Sequence, residues 1–140
     1  MVERVVVASD KFKGSLSAID VTARVAAGLA LAGFGGKGMA EYLLTPAHER
    51  RVQAILSDIA PGGGSGDEQY ALPADVELVF IMAGRLEITI DEELVILEEG
   101  DAFTFTASAR HAFRAVDESG PTRVLWVVSP ALPDTTRYPR

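Results

Sequence analysis

The chain has 140 residues, of which 48% are apolar and 24% charged, a balance typical of a globular domain with a short appendage. It contains no cysteine, which excludes disulfide bonds and thiolate metal sites and fits a reducing, cytoplasmic location. The net charge is -7 and no apolar run is long enough to span a bilayer, so neither nucleic acid nor membrane is an expected partner.

The amino-terminal residues predict a strand, a turn and a helix. Residues 4–8 (RVVVA) suit a short buried strand, because consecutive valines pack well on both faces of a sheet. Ser17 suits a helix N-cap, and the Ala- and Leu-rich residues 18–31 then predict a helix. GFGGKG, residues 33–38, ends that helix. It lacks the Gly-Lys-Ser/Thr ending of a phosphate-binding P-loop, so it is interpreted as a flexible linker.

From Glu41 onward the pattern changes to short strands bounded by turn residues, which is typical of a β-sandwich or barrel. PGGGSGDE (61–68) predicts a loop, AGR (83–85) and EEGD (98–101) predict tight turns, and the proline-rich tail is expected to be extended and irregular. The predicted strands are 41–44, 51–59, 68–72, 76–83, 85–90, 93–97, 102–105, 111–117 and 122–129.

The long segment VELVFIMAGRLEITIDEELVILEEGDAFTFTASARHAF, followed by RVLWVV, resembles a cupin domain. The resemblance is to the small modules that follow the helix-turn-helix in Xre-type bacterial regulators. It extends upstream through YLLTPAHERRVQAILSDIAPGGGSGDE and covers residues 41–140. It implies a mainly β fold, the double-stranded β-helix or jelly roll, with a pocket between two sheets.

The resemblance rests on two spaced motifs. The first ends in a Glu followed after six residues by a Gly, as Glu77 and Gly84 do. In the second, a Gly precedes a His by eleven residues, as Gly100 precedes His111. The two histidines that the family places upstream of its Glu are missing, because the corresponding residues 69–73 read QYALP. The chain also departs from the second motif, where Thr106, Ser108 and Ala115 replace the family's Pro, Gly and Asn.

Two of the four usual metal-ligand positions therefore remain, Glu77 and His111. Zinc, iron or manganese sites need three or four protein ligands, so this pair is an incomplete metal site and no cofactor is expected. The only other histidine, His48, is expected in a solvated turn. An inward-facing carboxyl must find a partner or take up a proton, and a hydrogen bond between Glu77 and His111 would satisfy both groups.

Strand alternation extends the candidate pocket beyond this pair. If Glu77 points inward, so do Val79 and Ile81, and if His111 points inward, so does Phe113 while Arg114 points outward. Phe103 and Phe105 share a face of their strand, and Trp126 is mid-strand. Two interpretations of these aromatic residues are compatible with the sequence: they pack in the apolar core, or they contact a ligand. The candidate pocket consists of Glu77, Val79, Ile81, Phe103, Phe105, His111, Phe113 and Trp126.

The segment RVVVASDKFKGSLSAIDVTARVAAGLA, residues 4–30, resembles the amino terminus of bacterial glycerate kinases of the glycerate 2-kinase type. The resemblance implies that Asp10 and Lys13 correspond to residues near the substrate of those kinases. They are far longer than this chain, and one strand and one helix cannot supply the nucleotide, metal and positioned donors of phosphoryl transfer. The predicted division is a kinase-like fragment (1–32), a Gly-rich linker (33–40) and a cupin domain (41–140).

Three functions compete at this stage. The leading hypothesis is a non-catalytic module that binds a small organic molecule, like the sensor part of a transcription regulator. The second is a cupin enzyme, an isomerase or a metal-dependent oxygenase, that uses Glu77 and His111 for acid–base chemistry. The third, glycerate kinase activity, is expected to be absent because the rest of that enzyme is missing. Cupin sheets commonly pair with a second subunit, so a homodimer is compatible with the resemblance.

Overall fold

The computed structural model describes residues 3–4, 30–31 and 37–133. These residues contain ten strands and no helix, and hence no helix long and apolar enough to cross a membrane. The strands are β1 (Glu3–Arg4), β2 (Ala30–Leu31), β3 (Lys37–Leu43), β4 (Gln53–Gly64), β5 (Val76–Ala83), β6 (Arg85–Ile90), β7 (Glu93–Glu98), β8 (Asp101–Thr106), β9 (His111–Ala115) and β10 (Thr122–Ser129).

The strands form one antiparallel sheet that curls into a nearly closed barrel, as the predicted jelly roll requires. Neighbouring strands follow the order β1-β8-β5-β10-β4-β9-β6-β7, and β2 and β3 join the sheet through β4. Strand β4 connects the two halves. Its first part pairs with β10 and β3, and Gly64 at its end pairs with Arg114 of β9.

The sequence prediction for β4 is too short, because PGGGSGDE was expected to be a loop throughout. The structure continues β4 through Gly64, the last of the three glycines. A Cβ atom at Gly64 would overlap the Phe113 carbonyl oxygen, so this close approach of two backbones requires glycine. The glycine run therefore brings β4 against β9 as well as introducing the loop that follows.

Two further strand predictions differ from the structure. Strand β3 begins at Lys37, so residues 37–40, predicted as linker, are paired with β4. Residues 68–72 were predicted to be a strand, but only Tyr70 makes a β-bridge there, with His111. Strands β5, β6 and β10 have the predicted bounds, and β7, β8 and β9 differ from them at their ends by one or two residues.

Most amino-terminal predictions lie outside the described residues. The exceptions are Arg4, which belongs to β1 as expected, and Ala30–Leu31, which form strand β2 where the end of a helix was predicted. Strand β2 pairs with β3, and that tertiary pairing overrides the local helical preference. The division into fragment, linker and domain stays a prediction.

Alternation along the strands produces the core. The inward faces of β5, β6, β9 and β10 contribute side chains that are almost fully buried, while their neighbours are exposed or half-buried. The main apolar cluster contains Ile55, Ile59, Val79, Ile81, Leu86, Ile88, Leu97, Phe105, Phe113, Ala115, Val124 and Trp126. Leu132 and Val128 belong to a second, smaller cluster, so the start of the tail packs against the barrel.

The β5–β6 turn provides a test of this architecture. Gly84 has a φ of +86°, and a Cβ atom there would lie 2.8 Å from the Cα atom of Thr122. We expect Gly84→Ala to lower the free energy of unfolding by roughly 2–4 kcal/mol, because it combines left-handed strain with overpacking.

Chemical denaturation measures this loss, and Gly120→Ala is the matched control because a methyl group at Gly120 would meet nothing within 4 Å. A Gly84→Ala protein as stable as the Gly120→Ala protein would contradict the described turn.

Candidate functional site

A cavity of about 380 Å³ lies in the barrel and is lined mostly by apolar side chains. Strands β3, β4, β5, β9 and β10 all contribute to its wall, together with residues 65–72, which we call the rim segment. Backbone hydrogen bonds fix the rim segment to the barrel: the Ser65 and Tyr70 amides donate to the carbonyl oxygens of Phe113 and His111. The cavity is therefore bounded by strands on several sides and by a tethered loop.

Glu77 lies on the inward face of β5 and is only 2% exposed. Its strand neighbours Val76 and Leu78 are more exposed, as the alternation predicts. His111 begins β9 and is fully buried, with the bridge to Tyr70 on one side and β6 on the other. The two motifs therefore place Glu77 and His111 side by side, as expected.

The polar ends of this pair face each other without a direct hydrogen bond. His111 Nδ1 lies 2.7 Å from the Ala109 carbonyl oxygen, so Nδ1–H donates there and Nε2 keeps its lone pair. His111 Nε2 is 3.7 Å from Glu77 Oε2, which is too long for a hydrogen bond. The predicted Glu77–His111 hydrogen bond is therefore absent. Both atoms are buried and have no hydrogen-bond partner among the described residues.

Burial keeps both members of the pair neutral near pH 7. It raises the pKa of Glu77 to about 8, with a further contribution from the negative charge of Glu41. Burial lowers the pKa of His111, although the hydrogen bond to Ala109 acts in the opposite direction. The 3.7 Å contact is therefore between a carboxylic acid and a neutral imidazole, and is no ion pair.

A second buried carboxyl group lines the same cavity. Glu41 lies on the inward face of β3 and is 7% exposed. The Ser57 hydroxyl, opposite it on β4, donates to Glu41 Oε2 at 3.2 Å and accepts from Trp126 Nε1 at 3.0 Å. Burial raises the pKa of Glu41 to about 7, and the Ser57 hydrogen bond limits that rise. Glu41 Oε1 has no hydrogen-bond partner in the part of the chain that the structure describes.

Aromatic rings surround these polar groups. Tyr70 of the rim segment lies 4.3 Å from the His111 ring, and Phe105 lies 4.9 Å from it, both measured between centroids. Phe113 and Trp126 are in contact at 4.7 Å. Burial raises the pKa of Tyr70 well above its usual value, and the charges of Glu77 and Glu41 raise it further. The three ionisable groups therefore influence one another across the same space.

The structure divides the predicted pocket residues into two groups. Glu77, Phe113 and Trp126 line the cavity. The inward-facing residues Val79, Ile81 and Phe105 instead fill the apolar core, because side chains interdigitate across the narrow interior of a small barrel. Phe103 packs against that core and is stacked on Phe105, and His111 lies behind the cavity wall, in contact with Glu77. A ligand role for any of them stays a prediction.

The donor set does not fit a firmly held metal ion. His111 has the orientation of a metal-binding imidazole, since its Nδ1 is held by a carbonyl and its Nε2 is free. Glu77 is protonated near neutral pH and would have to lose that proton first. Within residues 37–133 no group of three His, Cys, Asp or Glu side chains could hold a metal ion, and His48 lies in an exposed turn.

Sequence reasoning missed Glu41, Ser57 and Tyr70. Glu41 lies between Met39 and Leu43 on the inward face of β3, and an alternation test started at residue 37 would have identified it. Ser57 has the same signal, because it lies between Ile55 and Ile59. Nothing in the local sequence indicates that Tyr70 contacts His111.

Comparison with protein families and solved structures agrees with this architecture. The family model described as "Cupin domain" matches residues 55–128. No curated protein matches the chain.

Several solved structures share the fold. The cupin domain of an XRE family transcriptional regulator from Enterobacter cloacae is 23% identical, with a TM-score of 0.58, and the match covers 66% of this chain and 97% of that one. KdgF from Halomonas sp. is 20% identical, with a TM-score of 0.59 and coverages of 70% and 84%. A conserved Streptococcus pyogenes protein of unknown function is 26% identical, with a TM-score of 0.56 and coverages of 68% and 76%.

None of these findings supports the glycerate kinase resemblance of residues 4–30, and residues 5–29 lie outside the described part of the chain.

The raised pKa of Glu77 predicts how stability changes with pH. A carboxyl group with a pKa of 4.5 when unfolded and about 8 when folded stabilises the fold fully below 4.5, and this contribution is lost as pH rises towards 8. We therefore expect Glu77→Gln to match the wild type near pH 5 and to exceed its unfolding free energy near pH 8.5 by a few kcal/mol.

Denaturant titrations at several pH values measure this difference, with the exposed Glu93→Gln as the control that removes the same charge. A glutamine variant less stable than the wild type at high pH would show that a positive partner holds the carboxylate.

Proposed function

Since the chain belongs to the cupin domain family, we propose that it is a non-catalytic module that binds a small organic molecule, as in the sensor part of a transcription regulator. The observation that carries this proposal is the cavity of about 380 Å³, whose lining is mostly apolar with a few convergent polar groups. Small-molecule sites have this size and composition. The likeness to a domain of an XRE family regulator is in keeping with a sensing role.

The state of the polar groups favours binding over metal-dependent chemistry. The cavity offers one carboxyl from β5 and one from β3, both with raised pKa values, and an imidazole behind the first of them. Neutral acids and a free imidazole nitrogen form hydrogen bonds to an organic ligand without any metal. The orphaned atoms Glu77 Oε2 and His111 Nε2 are the groups that a ligand, or a water beside it, would satisfy.

One observation favours a second candidate, an enzyme of the isomerase type. A carboxylic acid with a pKa of about 8, 3.7 Å from a neutral imidazole, is a suitable acid–base pair at neutral pH. This candidate predicts turnover of a bound compound that stops in Glu77→Gln. The binding module predicts that bound compounds are recovered unchanged.

Thermal shift measurements with a chemically diverse set of small carboxylates, alcohols, sugars and amines test the binding module. We expect at least one class to raise the melting temperature by more than about 2 °C, because a ligand of the folded state stabilises it. Metal analysis of the same untagged sample should find far less than about one ion per chain.

A blocked cavity supplies the control. Ala71 is an exposed residue of the rim segment that lines the cavity, so Ala71→Phe should abolish the shift, whereas Ala60→Phe on the outer surface should leave it unchanged. Equal shifts in the two variants, or no shift with any class, would contradict the proposal. A metal ion bound at about one per chain would favour the enzyme instead.

A further inference from the structure

We propose that the ligand of this cavity is a small organic amine in its protonated form, held between Glu41 and Glu77 with its organic part against Tyr70, Phe113 and Trp126. This inference rests on the proposed function and names the chemical class that the site would take. It follows from the unsatisfied atoms of the cavity, the absence of a cation among the described residues of its wall, and the aromatic surface.

The cavity contains two buried carboxyl groups, beside the exposed Glu68 at its rim, and the buried pair lacks hydrogen-bond donors. Glu41 and Glu77 are 7% and 2% exposed, and Glu41 Oε1 and Glu77 Oε2 have no hydrogen-bond partner within the described residue ranges. His111 Nε2, beside Glu77 Oε2, is also buried and unpartnered, and its other nitrogen is already committed to Ala109. An ammonium group carries three N–H donors and no acceptor, so it fits a site that is rich in acceptors.

No positive side chain neutralises these acids within the described part of the chain. Among the described residues that line the cavity, none is Lys, Arg or His. Arg123 pairs with Asp58 and Arg114 with Glu87, and the Arg110 guanidinium donates to the Gln69 carbonyl oxygen of the rim segment. Two carboxyl groups buried together without a cation strongly disfavour ionisation, and a ligand that brings a positive charge removes that penalty.

The remaining wall favours an organic cation over a metal ion. Tyr70, Phe113 and Trp126 line the same cavity as the two acids. Aromatic faces attract ammonium groups, and the apolar surface accommodates a hydrocarbon part. Among residues 37–133 no three His, Asp or Glu side chains are placed so that they could hold a metal ion together, and Glu41, Glu77 and His111 are therefore not such a group.

The net negative charge of the whole domain also favours a cationic ligand. Residues 41–140 carry a net charge of -9. An acidic surface raises the local concentration of cations and repels carboxylates and phosphates. The volume of about 380 Å³ leaves room for an organic group beside the ammonium, so a bare ammonium ion would fill the cavity poorly.

Benzylamine is a suitable probe, because it combines a primary ammonium with an aromatic ring and has two isosteric controls. Isothermal titration calorimetry of the full chain should show that benzylamine binds, that benzyl alcohol binds more weakly and that benzoate does not bind. We expect Glu41→Gln and Glu77→Gln each to weaken benzylamine binding by about tenfold or more, because each variant removes a charge-assisted hydrogen bond.

Two controls separate this effect from folding and from bulk charge. Glu93→Gln removes an exposed carboxylate on β7 and should leave benzylamine affinity unchanged. The weak affinity for benzyl alcohol should be the same in the wild type and in both cavity variants, which a general loss of structure would not allow.

The outcomes distinguish this inference from the proposed function. If benzyl alcohol or benzoate binds as tightly as benzylamine, or if the two glutamine variants keep the wild-type affinity for benzylamine, the amine inference is wrong while the binding module stands. If neither these probes nor any class in the thermal shift set binds, both are wrong.

Discussion

Two inward-facing carboxyl groups constrain the interior of this barrel. Glu41 on β3 and Glu77 on β5 occupy positions that strand alternation directs into the barrel, where burial disfavours the charged form of a carboxyl group. Burial therefore raises the pKa of both groups, and each negative charge would raise the cost of the other. The same burial lowers the pKa of His111, and the Ser57 hydroxyl links Glu41 to Trp126 through two hydrogen bonds.

The fold leaves a cavity beside these two carboxyl groups. Strand β4 joins the two halves of the barrel, and Gly64 allows it to lie directly against β9. The rim segment follows Gly64 and forms one side of the cavity. Backbone hydrogen bonds to Phe113 and His111 of β9 hold this loop in place. Val79, Ile81 and Phe105 do not line the cavity and belong to the packed apolar core. The cavity wall combines aliphatic side chains with aromatic and acidic ones.

Much of the fold could be predicted from sequence because its signals are local. The alternation in β5 and β10 and the turn glycines Gly84 and Gly100, both with φ of +86°, define strands and turns without reference to distant residues. The cupin motif spacing likewise brought Glu77 and His111 together. Glu41 could not be found once residues 33–40 were taken as linker, because the alternation of β3 was then hidden. The contact of Tyr70 with His111 depends on how the rim segment packs, and the 3.7 Å Glu77–His111 gap depends on how β5 and β9 lie relative to each other, and no local pattern encodes either.

The most direct test of this account is a carbon-13 NMR titration of the glutamate carboxyl groups, assigned with the Glu41→Gln and Glu77→Gln variants. We predict two carboxyl signals with midpoints near 7 and 8, each lost in the corresponding variant. Midpoints near 4.5 for both Glu41 and Glu77 would contradict it, because they would show that water or a positive group already satisfies the two carboxylates.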